Sequence, residues 1–75
     1  MTTADVVRER ALSLARSETD PEDAIRELQA CCGGRRVSAA KARQQVIAWL
    51  DSASDQQAAM LAIEYLDDLL NRMPV

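Results

Sequence analysis

The sequence predicts an all-α fold: a small bundle of three or four helices with antiparallel neighbours. Apolar residues recur at three- and four-residue spacing along most of the chain, and no stretch alternates as a strand would. Helix start and stop signals divide that pattern into four segments. The chain has 75 residues, which suits one helical domain over 1–75. A domain this small buries only about 60% of the surface its unfolded chain exposes. Tight helix packing, a partner, disulfides or a metal must make up the difference.

The first helix is expected to begin near Thr3 as N-cap, with Asp5 in the first turn where the helix dipole favours an anion. It runs to about Arg16. Ala4, Val7, Ala11, Leu14 and Ala15 share one face, Leu12 lies at its margin and Val6 points away. The second opens at Asp20-Pro21-Glu22-Asp23, a capping carboxylate followed by proline at the first helical position and two acids in the first turn. Ala24, Ile25, Leu28, Cys31 and Cys32 form its apolar side, and Gly33-Gly34 ends it.

The third helix is expected from Ser38, read as a cap, to about Asp51. Ala39, Ala42, Val46, Trp49, Leu50 and Ala53 face inward, Ile47 marks a margin, and Lys41, Gln44, Gln45, Ala48 and Ser52 face out. The fourth follows a short break, with Ser54 as cap and Gln57 completing a capping box, and Pro74 stops it. So short a link favours antiparallel packing of the last two helices, although no glycine or proline enforces the break. A single kinked helix is the alternative.

The last helix has the widest apolar stripe. Ala59, Ile63, Leu66, Leu70 and Met73 align, Ala62 and Leu69 widen one side, and Met60 flanks the other. A surface helix needs an arc of only about 100°. A wider one belongs to a central helix or to one shared with a partner.

Composition removes several chemistries. The chain has no histidine, hence neither the commonest general base nor the commonest metal ligand. Cys31 and Cys32 are adjacent. Neighbouring Cα atoms lie about 3.8 Å apart, short of the span a normal disulfide needs. Two thiols do not close a zinc site, so free thiols in a reducing cytoplasm are expected. The phosphate-loop and nucleophile-elbow patterns are missing. Glu64, Asp67 and Asp68 read as a solvated acidic face. No enzyme activity and no cofactor is expected. Val6-Val7 run straight into Arg8-Glu9-Arg10, unlike the apolar core of a signal peptide. No run is long enough for a membrane span, and a cytoplasmic protein without membrane contact is expected. Arginine outnumbers lysine eight to one, a bias of GC-rich bacterial genomes.

Two readings of function remain. The preferred one is a non-enzymatic protein–protein interaction or regulatory module expected to self-associate, as a homodimer, through its last helix. Leu61, Tyr65, Leu69 and Met73 are the expected apolar contacts. Leu61 lies almost opposite Leu66 and Leu70, so one neighbour cannot bury all three. The alternative is a DNA-binding regulator. Residues 35 to 50 carry four bases and no acid, while the whole chain is at −3. The second and third helices resemble a helix-turn-helix in pattern, although the expected joint, 33 to 37, is long for one. Arg35, Arg36, Lys41, Arg43, Gln44 and Gln45 would then contact nucleic acid, with lysine and glutamine reaching base edges. Trp49 and Tyr65 are the only aromatic residues, too few for a single-strand stacking platform. Trp49 fits the core best, with an interface anchor as the other option.

Overall fold

Capping chemistry and chain breaks set four helices in the computed structural model, which describes residues 2–73: α1 (Thr3–Arg16), α2 (Pro21–Cys32), α3 (Arg36–Leu50) and α4 (Gln56–Arg72). Thr2 caps α1, one residue before the expected Thr3. Its hydroxyl accepts from the Asp5 backbone N–H, and the Asp5 carboxylate accepts from the Thr2 N–H. This reciprocal pair satisfies two orphan donors. Asp20 caps α2 as expected, accepting from the Glu22 N–H at 2.9 Å. Gly33 closes α2 in the left-handed region at φ 59°.

α3 begins two residues before the expected Ser38. No side chain caps it, and Ser38 is buried within its first turn. The third and fourth helices are separate. Asp55, not Ser54, caps α4 and accepts from the Ala58 N–H at 3.0 Å. Its longer reach to that N–H displaces the expected Ser54–Gln57 box. Pro74 lies outside the described residues.

The four helices enclose one core. α1 and α4 each pack on all three others, α3 packs mainly on α4 and α1, and α2 and α3 touch least. Val7, Leu28, Val46, Leu66 and Leu69 are fully enclosed. Ten of the 21 buried apolar residues are alanine. Short side chains let helix axes approach closely, so contact rather than bulk fills the interior.

Polar ties hold the helices in register. The Tyr65 hydroxyl donates to the Thr19 carbonyl at 2.7 Å, pinning α4 to the α1–α2 loop. Arg72 pairs with Glu22 at 3.0 Å across α4 and α2. The Gln45 amide donates to the Asp5 carboxylate at 3.1 Å across α3 and α1. No helix among the described residues is long and apolar enough to cross a membrane.

Candidate interaction surface

Most of the wide apolar stripe of α4 is consumed inside the chain, while Met60 stays exposed and Ile63 and Leu70 half-buried. Of the four residues expected to face a partner, Tyr65, Leu69 and Met73 are buried and Leu61 is half-buried. This corrects their expected exposure. Three helices pack on α4, so burial extends around both sides of it: Tyr65 reaches the α1–α2 loop at Thr19, and the Leu70 turn meets Arg36 of α3. Leu61 and Leu70, at opposite margins, stay half-buried. Tyr65 goes inward because the Thr19 carbonyl satisfies its hydroxyl. Burial first, then the charges of Asp20 and Glu64, push that phenol above its ordinary 10.0.

The basic segment is divided in the same way. Arg36 donates to the Leu70 and Met73 carbonyls at the end of α4, where a cation also meets the negative end of the dipole. Arg43 pairs with Asp67, and Gln45 is held by Asp5. Arg35, Lys41 and Gln44 are exposed and make no side-chain hydrogen bond or ion pair among the described residues. The joint from α2 to α3 is only three residues, Gly33–Arg35, shorter than expected and within the helix-turn-helix range. Yet those two helices barely pack on each other. The segment therefore offers three free contacts where six were expected.

The same ties create a feature not visible in either helix alone. Arg36 meets the last turn of α4, and Arg43 meets Asp67. Each step forward along α3 thus matches a step back along α4. One turn on from Arg43 is Ile47, and one turn back from Asp67 is Ile63. The register sets these level with each other, and sets Leu50 level with Met60. Ile47 is 42% and Met60 57% exposed, while Ile63 and Leu50 are half-buried against the core. An apolar strip therefore runs along the outer seam of α3 and α4. The other large exposed apolar residues are Val6 on α1 and Val37 in the first turn of α3. Sequence patterning places Ile47 and Met60 at the margins of two separate stripes, and offers Met60 as a residue that could stay partly exposed toward a partner, but does not join the two.

Trp49 is half-buried at the other edge of α3. With Arg8, Glu9, Leu12 and Arg16 it lines a shallow cleft of about 250 Å³. Arg8 is already paired with its chain neighbour Glu9 at 2.9 Å. The cysteines are free: Cys32 is buried, its thiol donating to the Gln29 carbonyl at 3.3 Å, and Cys31 is half-buried. Two carboxyls sit below their ordinary range. Asp5 is lowered first by the Thr2 backbone N–H, and Glu22 by the Arg72 guanidinium. Both are structural pairings. Glu64 and Asp68 are exposed, and Asp67 is committed to Arg43. No group of three or more metal-ligating side chains comes together among the described residues.

The fold and surface thus define a compact all-α globule of four helices with a half-open apolar seam. No protein-family model matches the chain, and no curated protein or solved structure shows significant similarity to it.

Proposed function

We propose that this chain is a non-enzymatic, cytoplasmic protein–protein interaction module that docks partners through the outer seam of α3 and α4. One observation carries the reading: Ile47 and Met60 are exposed on two helices whose register is tied by Arg43 and Asp67, and that register brings them to one side beside the half-buried Ile63 and Leu50. Apolar residues gathered into a strip and rimmed by Gln44 and Glu64 have the pattern of a docking surface. Methionine suits it, because its flexible thioether fits partners of differing shape. The free thiols of Cys31 and Cys32 fit a reducing compartment.

A photo-crosslinking residue placed at Met60 or Ile47 tests this in the native cell, with the Glu27 position on the α1–α2 side as control. Covalent protein adducts are expected from the two seam positions and not from the control. Equal yields at all three positions, or none anywhere, would sink the proposal.

Nucleic-acid contact has less support, resting on Arg35, Lys41 and Gln44 alone. Duplex-DNA affinity that fell steeply with salt and vanished in an Arg35→Ala, Lys41→Ala double variant would favour it instead.

A further inference from the structure

We infer that the cleft between α1 and α3 is a binding site for a small aromatic carboxylate. The cleft lies at the other edge of α3 from the seam and does not depend on what docks there. Arg8, Leu12 and Arg16 follow one another at four-residue spacing, on a single line of α1. Trp49 closes the cleft from α3. Leu12 is buried and the indole half-buried against the core, so the middle of the cleft is apolar. A guanidinium stands toward each end, on Cα positions about 12 Å apart along the helix axis.

The polar groups around this apolar middle lack acceptors. Arg8 Nε is buried and has no hydrogen-bond partner. Arg16 is exposed and makes no ion pair or side-chain hydrogen bond among the described residues, although acids outnumber bases 12 to 9 in the chain. The Trp49 indole N–H makes no hydrogen bond among them either. Guanidinium and indole N–H groups donate and cannot accept. The one carboxylate that lines the cleft, Glu9, accepts from Arg8 Nη2 at 2.9 Å. An occupant that displaces water must therefore bring its own acceptor. A cation would meet two arginines, and a neutral apolar molecule would leave the donors unmatched. A carboxylate carried on an apolar body matches both the charge and the floor.

The same residues orient it. Glu9 already offsets the charge of Arg8 and would repel a second carboxylate beside it. The ligand carboxylate therefore belongs at Arg16, whose planar fork can donate to both oxygens. Its ring lies over Leu12 against the indole, with the Arg8 guanidinium bordering the far side. A volume of about 250 Å³ falls a little below that of sites for drug-sized ligands. This suits a single ring on a short acidic arm, with millimolar affinity.

Trp49 is the only tryptophan, so its indole peak in a proton–nitrogen NMR spectrum of the full chain reports on the cleft. Titration with phenylacetate at low salt should move that peak to saturation in the millimolar range. Phenylacetamide keeps the ring without the charge, and acetate keeps the charge without the ring. Each should bind about tenfold more weakly or worse. Arg16→Gln, at an exposed position that the fold does not need, should weaken phenylacetate by about threefold to fivefold. Arg10→Gln, on α1 outside the cleft, should leave it unchanged. An indole peak that stays in place, or drifts without saturating, overturns the inference. So does equal affinity for phenylacetamide or acetate, or an Arg16→Gln variant that binds as the parent does.

Discussion

Two apolar strips on α4 are treated differently by the fold. The inner one, Ala62, Leu66, Leu69 and Tyr65, is enclosed by three helices. The outer one, Met60 and Ile63, lies toward α3 in the register tied by Arg43 and Asp67, and is exposed at Met60 and half-buried at Ile63. Residue type does not separate them, because leucine, isoleucine and methionine differ little in the free energy of burial. The number of neighbouring helices does. Apolar spacing finds the side of a helix that needs cover, and topology decides how much of it is covered.

The largest test of that contrast is a pair of truncations. Leu66→Ala should cost about 2 to 5 kcal/mol, through lost transfer energy and a cavity that the surrounding helices cannot collapse. Total stability for a domain of 75 residues is roughly 4 to 11 kcal/mol. This one change therefore removes a large share of it. Met60→Ala should stay within about 0.5 kcal/mol, since its side chain is already largely in water. Urea unfolding of both variants at low protein concentration measures the difference. Comparable losses would mean that the outer strip belongs to the core.

How much of this was legible beforehand follows the same division. The inner face of α1 is visible at Ala4, Val7, Ala11, Leu14 and Ala15, because local spacing is enough to find it. The start of α2 is visible in Asp20-Pro21, and its end in Gly33. The burial of Tyr65 was not visible, because it depends on a carbonyl 46 residues away. The fate of Arg36 and Arg43 was hidden for the same reason: sequence displays a cation but not the carbonyl or carboxylate that will engage it. The seam is hidden more deeply still, because Ile47 and Met60 become neighbours only once α3 and α4 pair antiparallel in a particular register. Helix starts were misplaced at Thr3, Ser38 and Ser54, since several adjacent residues could cap and the choice among them depends on reach.

Tyr65 sharpens the contrast from the polar side. Tyr65→Phe keeps the apolar packing and removes only the bond to the Thr19 carbonyl, an expected loss of about 1 kcal/mol. The pH response gives an independent reading. The folded phenol titrates above 10.0, chiefly because it is buried. Below pH 10 it is neutral in both states, and its contribution is fully present. As pH rises past 10 toward the folded value, the unfolded chain sheds a proton that the folded chain still holds, and stability falls until the folded phenol ionises too. Chemical unfolding from pH 9 to 11 should therefore show a steeper decline in the parent than in Tyr65→Phe. Parallel curves would mean that the hydroxyl reaches water.

The smallest effect compares the ends of α1 and α2. Both chains turn through the left-handed region, at Glu18 (φ 53°) and Gly33 (φ 59°). At the end of α1 the Glu18 N–H donates to the Ala15 carbonyl and the Thr19 N–H to the Leu14 carbonyl, the paired bonds of a Schellman turn. Glycine normally fills that position, because a Cβ there costs roughly 1 to 2 kcal/mol. Glu18→Gly removes that strain but adds backbone freedom to the unfolded chain, worth about 0.5 to 1 kcal/mol. A net gain of about 0.5 kcal/mol is expected. Gly33→Ala should run the other way, with a loss of about 1 kcal/mol, although no atom lies within 4 Å of the added Cβ. The conformation alone carries the cost. Thermal unfolding of the two variants should move the midpoint in opposite directions. A stabilising Gly33→Ala would mean that α2 ends in a different turn, one that does not fix the approach of α3 to α4 and hence the register on which the seam depends.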